Sequence, residues 1–370
     1  MNETITASPP AAPAGGRNAA ARLPRPARLG PAWIVGGVVA VLVALVAGVA
    51  FGPVSLPPGS VALELLNLIP GVRLDSGLDE REIAIITELR LPRAVLGVLV
   101  GATLAVAGAC YQGVFRNPLA DPYLLGVAAG AGLGVTALIA LAGGSIVLSG
   151  VVPLTTPVAA FVGALGAVGL TYLLGVTGGR DRGPATLILA GVAISAFLSA
   201  AQTYLMQRNV DNFREIYSWL LGRLSTAGWH DVRVLLPYTL LTAAVALLYR
   251  RQLDVLAVGD AEATGLGLNP RRTRFVLLAA ASLGTAAAVS VSGLIGFVGI
   301  IIPHLVRLLV GVSYRLILPM CLLLGGAFLT LADVLARTAT AAELPIGVVT
   351  AFFGAPFFVL VLRTAKRVAV

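Results

Sequence analysis

Lysine is almost missing from this sequence: among 26 basic residues in 370, Lys366 is the only one. A phosphate-binding loop of the GxxxxGK[ST] kind needs a lysine that reaches the phosphates. The chain therefore carries no such loop, and any ATP would have to be hydrolysed by a partner. Histidine and cysteine are nearly as scarce, at two each. His230 and His304 are far apart and make no metal-ligand pair. Cys110 and Cys321 lie within apolar runs and read as small buried hydrophobes, not as a disulfide or redox pair. Charge is short overall, at 12% of residues against about 25% in soluble domains. So few charges cannot cover a water-facing surface. Acidic residues are rarest inside the apolar runs, with Asp333 and Glu343 near the end of the final pair. An ion-coupled transporter or pump, which keeps ionisable groups in its spans, is disfavoured on that ground. A membrane-embedded enzyme is disfavoured by the lack of clustered acids and histidines.

What is present is grease, with 58% hydrophobic residues. Runs of about 20 apolar residues suit a hydrocarbon core roughly 30 Å thick. Such runs are predicted at 32–51, 94–114, 123–142, 153–176, 186–206, 233–249, 275–296, 298–312, 316–334 and 346–362, the 298–312 run being short and broken by Pro303. The chain is thus expected to be all-α, a polytopic membrane protein of about ten transmembrane helices over residues 31–370. Residues 1–30, rich in Ala, Pro, Gly and Arg, read as a disordered basic tail. The run from Pro31 to Phe51 exceeds the roughly 7–15 apolar residues of a signal peptide and is taken as an uncleaved first span. The net charge of +9 carries no interleaved aromatics of a nucleic-acid surface. Arginines instead flank the apolar runs, and Arg116, Arg180, Arg182, Arg250, Arg251, Arg271, Arg272, Arg274 and Arg315 fall on one side. By the positive-inside rule both termini are expected in the cytoplasm.

Between the runs sit polar breaks. "GVFRNPLADPYLLG" (113–126) packs an Arg, an Asn, two prolines and an Asp between two spans. Pro118 cannot donate a backbone hydrogen bond and Pro122 suits a helix start, while Asn117 and Asp121 can take up freed backbone groups. This reads as a compact, self-satisfied reversal. "LDVLAVGDAEATGLGLNPRRTR" (253–274) suggests a short helix, a turn at Gly265–Gly267 and a second helix start near Asn269 and Pro270. "GVAAGAGLG" (126–134) and "GALGAVG" (163–169) read as close-packing surfaces. Gly108–Pro118 and Gly293–Pro303 have equal spacing, a hint of an internal repeat.

Taken together, "RLPR", "GACYQGVFRNPLADPYLLG", "LILAGVAIS", "SWLLGRLS", "SGLIGFVGIIIPHLVRLLVG" and "AELPIGVVTAFFGAPFFVLVLR" resemble the FecCD family over about residues 80–365. These are permease subunits of ABC importers for iron–siderophores, haem and vitamin B12. The resemblance implies a vitamin B12 permease-like fold, with a second permease, identical or a paralogue, beside it. It also implies two cytoplasmic ABC ATPases holding ATP and Mg, and an extracytoplasmic binding protein above. This chain itself would hold no cofactor and would not be an enzyme. The cargo implied is an iron complex, a ferric siderophore foremost, with haem or vitamin B12 next. Carried residue by residue, the resemblance places docking sockets for the binding protein on Arg90, Arg93 and Arg337. It places ATPase coupling in the 253–274 loop on Asp260, Glu262, Gly265, Gly267, Asn269 and Arg271. A cytoplasmic gate falls on Gly183, Pro184, Ala185 and Thr186, where the B12 permease has small hydroxylic residues. The stretch 207–222 resembles an outer gate, although Tyr217 and Trp219 also suit an interfacial aromatic belt.

Overall fold

The computed structural model describes residues 30–52, 54, 56–142, 145–148, 152–177, 184–340 and 342–365. The tail expected over 1–30 lies outside them apart from Gly30. From the N-terminus come α1 (Pro31–Ala50), α2 (Pro58–Asn67), α3 (Glu80–Ala84) and, after a π-helical turn at Ile85–Arg90, α4 (Leu91–Phe115). A 3₁₀ turn at Pro122–Leu125 leads into α5 (Val127–Ala142), a two-stranded hairpin of β1 (Ser145–Leu148) and β2 (Val152–Thr155), α6 (Thr156–Thr177) and α7 (Pro184–Arg208). Then follow α8 (Phe213–Leu220), α9 (Trp229–Leu248), α10 (Arg250–Leu256), α11 (Asp260–Gly265) and α12 (Pro270–Ser292). Last come α13 (Val298–Val310), α14 (Tyr314–Thr338) and α15 (Ile346–Ala365). Among the described residues seven helices are long and apolar enough to cross a membrane, and α5, α13 and α15 are shorter apolar helices. These correspond to the ten predicted runs. The antiparallel hairpin, in register Ser145↔Thr155 to Leu148↔Val152, is an addition the sequence reading did not contain.

Start signals are local. Proline opens α1, α2 and α12, where a missing N–H costs nothing. Asp79 and Glu82 form a capping box at α3, and the Asn269 side chain accepts from Arg272 N at α12. Helix α4 is the hub, packed along α14, α12, α9 and α13. Close approach rests on glycine: a Cβ on Gly101 would stand 2.2 Å from the Gly325 carbonyl oxygen, and one on Gly130 equally close to that of Gly163. Cys110 and Cys321 are buried free thiols.

Two expectations need correction. The 298–312 run is shorter as a helix: α13 has 13 residues, about 20 Å of helix at 1.5 Å per residue. It is entered through a non-helical segment, 293–297, with Gly293 at φ 70 and Phe297 at φ 68. The suggested repeat also fails, because Gly108 is a packing residue inside α4 whereas Gly293 closes α12. What the two signatures do is meet. The Tyr123 hydroxyl accepts from Ile295 N at 3.1 Å and donates to Ile295 O at 3.0 Å. Gly299 rests on the Pro122 ring, and Gln112 Nε2 donates to Gly299 O at 3.0 Å. Non-helical backbone at this depth is thus paired with protein rather than left to lipid.

Within the 113–126 reversal, Asn117 Oδ1 accepts from Leu119 N and Asp121 Oδ1 from Tyr123 N, as the sequence suggests. Tyr123→Phe removes both partners of the Ile295 peptide and should cost about 1–3 kcal/mol. Thermal unfolding in detergent should show a clear drop for this variant, and little change for Tyr217→Phe at an exposed tyrosine. Equal melting temperatures for the two would refute the role of the clamp.

Candidate functional site

Loops gather at two ends. One end carries α10, α11 and the 116–126 reversal; the other carries α2, α3, α8 and the 339–345 turn. At the first end the 253–274 loop is a strapped wedge. Asp254 accepts from Tyr314 N at 2.7 Å and from Ser313 Oγ at 2.9 Å, so it caps α14 from 60 residues away. Asp260 receives Arg274 Nη1 at 2.7 Å and Arg116 Nη2 at 3.2 Å, tying α11 to α12 and to the end of α4. Leucines 253 and 256 are fully buried beneath. Gly267, at φ 81, makes the expected turn.

This geometry divides the predicted coupling residues. Glu262, Gly265, Gly267 and Arg271 are exposed, beside Val258 and Leu266 at 61% and 71% exposure. Asp260 and Asn269 instead spend their side-chain oxygens internally, one as a clamp and one as a helix cap. The hydrogen bond from Arg274, with the charges of Arg274 and Arg116, holds the Asp260 carboxyl below its ordinary value against the opposing effect of burial. A lowered value means the clamp stabilises fully above the ordinary carboxylate pKa, about 4, and fades as pH falls through the lowered one. Asp260→Asn should therefore melt below the wild type at pH 7, with the gap closing on acidification to about pH 3. A gap independent of pH would show that the carboxylate charge is not what holds α11.

The predicted gate lies next to this wedge. Gly183 falls outside the described residues. Pro184 starts α7, Ala185 is exposed and Thr186 half-buried. One turn on, Leu187 lines a cavity of 340 Å³ together with Tyr172, Phe275, Asp260, Asn269 and Arg271. Leu187 in the first turn of α7 and the wedge thus border one space, which the sequence separates by some 70 positions.

At the opposite end the three predicted docking arginines converge, but not as open sockets. Arg93 makes a fork to Asp333, with Nε 2.9 Å from Oδ2 and Nη2 3.0 Å from Oδ1, and reaches Glu343 at 3.1 and 3.2 Å. Arg337 Nε lies 3.6 Å from Asp333 and its Nη2 donates to Gly48 O. Arg90 donates to the carbonyls of Val49 at 2.8 Å, Ala50 at 2.9 Å and Val54. Arg90 and Arg337 are each 6% exposed. They are turned inward, because the last carbonyls of α1 have no intrahelical donor and cations satisfy them. Only the Arg93–Glu343 edge faces out, beside exposed Arg223, around a cavity of 150 Å³. Sequence reasoning missed Asp254, Arg274 and Arg116 as straps and Arg93 as the partner of Asp333, since no local pattern links such distant positions. Trp219 is buried at 4% exposure, whereas Tyr217 is exposed and stacks on Phe213 at 5.6 Å. The belt reading is therefore wrong for Trp219.

Asp333 is 2% exposed, and Arg93 and Arg337 are its charged partners. Arg93→Ala should destabilise by about 3–5 kcal/mol, the scale for breaking a buried pair from one side. Adding Asp333→Asn should recover part of the loss in a double-mutant cycle read by chemical unfolding. Strict additivity of the two losses would remove the pairing.

Comparison with known proteins follows this geometry. The FecCD transport family matches residues 40–364. The chain is 45% identical over 305 residues to "Cobalamin import system permease protein BtuC" of Halobacterium salinarum, covering 82% of this chain and 80% of that one. It is 40% identical over 291 residues to "Hemin transport system permease protein HmuU" of Yersinia pestis, covering 75% and 83%. A solved metal-chelate type ABC transporter in an inward-facing conformation superposes with a TM-score of 0.78 at 29% identity, covering 90% of this chain and all of that one. With the helices, the buried re-entrant backbone and the wedge in place, the chain belongs to the FecCD transport family and is a multi-pass membrane permease of the ABC type.

Proposed function

We propose that this chain is the transmembrane subunit of an ABC importer for a metal chelate, a ferric siderophore foremost, powered by separate ATPases. The observation that carries the reading is the wedge. An exposed Val258–Leu266 tip rides on helices strapped by Asp254 and Asp260 to α14, α12 and α4. A partner gripping that tip moves three long helices together, as rigid-body transmission requires. The ATPases, holding ATP and Mg, would seat there through Glu262, Gly265, Gly267 and Arg271, which makes this the cytoplasmic end and both termini cytoplasmic. A partner's closure would reach Pro184–Thr186 at the start of α7 through the shared cavity.

A second permease, identical or a paralogue, would complete the path along the bare faces of α7 and α15, where Leu189, Phe197, Phe352 and Leu360 are exposed. Apolar walls suit a bulky ligand that must pass without being held. The α8 end would meet the binding protein at the Arg93–Glu343 edge. The relatives' names support a chelate cargo, since one is described for Fe(3+)-citrate. A cobalamin cargo is the second reading, favoured by the relative that is 45% identical.

Proteoliposomes containing the permease, its cognate ATPase and its binding protein should take up ⁵⁵Fe-siderophore only with ATP. Uptake of ⁵⁷Co-cobalamin in its place would transfer the assignment to the second reading. Uphill uptake by the permease alone on an ion gradient would overturn the class.

A further inference from the structure

Beside the wedge a cavity of 240 Å³ opens at the α10–α11 end, walled by Gln112, Arg116, Asn117, Ala257, Arg307 and Tyr314. Its polar lining is almost entirely donor. Arg307, in the last turn of α13, donates to Gln112 Oε1 and, at 3.4 Å, to the Tyr314 hydroxyl, and lies 5.9 Å over the Tyr314 ring. Among the described residues it makes no ion pair. Arg116 reaches Asp260 with one nitrogen at 3.2 Å and keeps 39% of its side chain exposed. Asn117 spends its side-chain oxygen on Leu119 N, so its amide group is left as a donor. The two carboxylates nearby are already engaged, Asp254 by Ser313 and Tyr314 and Asp260 by Arg274. Two guanidiniums and an amide therefore border one space that contains no free anion.

A half-buried guanidinium backed only by a neutral amide and a phenol lacks the counter-charge that low-dielectric surroundings demand. Its planar fork fits a carboxylate. The mouth adjoins Ala257, next to the exposed wedge tip. An anionic lipid fits less well, because Arg307 lies on the opposite side of α13 from the exposed stripe of Leu305, Leu308 and Leu309 that would hold acyl chains. We infer that this cavity receives an acidic side chain of the ATPase subunit, forming a second contact beside the wedge. The inference rests on the reading that an ATPase seats at this end. Its consequence is mechanical. Arg307 holds Gln112, and Gln112 holds the Gly299 carbonyl in the first turn of α13. A carboxylate on Arg307 would thus bear on α13 and, through Gln112, on α4, which the wedge also holds.

The near-absence of lysine makes the test clean. Arg116→Lys and Arg307→Lys each add one amine to a chain whose sole native lysine is Lys366. The full-length permease, co-purified with its cognate ATPase, is treated with a carbodiimide that joins amine to carboxylate at zero length. Mass spectrometry should find residue 116 or 307 joined to an Asp or Glu of the ATPase, with a 116–260 link inside the chain as internal control. Complexes that assemble at wild-type yield without such a link from either position would overturn the inference and leave the seating intact. Failure of the wild-type pair to associate would overturn the seating, and the inference with it. As a second arm, Arg307→Gln in nanodiscs should bind the ATPase about tenfold more weakly with a shallower salt dependence. Unchanged ATPase affinity with loss of a co-purified anionic phospholipid would make the cavity a lipid site and refute the proposal.

Discussion

A peptide group inside hydrocarbon must find its hydrogen bonds within the protein, and in this chain that demand is sharpest where α5 and α13 begin. Both are among the shorter apolar helices of the described residues. Their irregular entries run toward each other through the middle of the bundle. One tyrosine hydroxyl, on Tyr123, serves both the N–H and the C=O of Ile295. Gln112 serves the carbonyl of Gly299, and Gly299 in turn has no side chain to keep Pro122 away.

The same economy governs charge. Several ionisable residues near the bundle ends are spent on backbone or on a partner far away in sequence. Arg90 and Arg337 finish α1 by taking its last carbonyls, Asp254 starts α14, and Asp260 binds α11 to α12 and α4. Exceptions stand out against that background. The bare apolar tip of the wedge lies at the same end as Arg307, which makes no ion pair among the described residues.

Such an arrangement links two mechanical elements. The wedge is strapped to three long helices, so force applied there moves a block. Arg307 lies on α13, a helix of 13 residues that Gln112 ties at both ends to α4 of that block.

Much was legible without coordinates. Hydropathy located ten apolar helices because every stretch in contact with lipid must be continuously apolar. The 113–126 reversal, the Asn269 cap and the Gly267 turn were legible because proline, Asn and Gly act on their own backbone within a few residues. The family was legible because its motifs combine such local requirements in order. The non-helical entry at 293–297 was not legible, because hydropathy cannot tell apolar residues buried in protein from a helix in lipid. The inward turn of Arg90 and Arg337, the fork of Arg93 on Asp333 and the convergence of Arg116 and Arg307 on one cavity were decided only by the tertiary structure. Which carbonyl or carboxylate a long side chain meets depends on helices brought together from hundreds of residues apart, and no property of the residue itself carries that information.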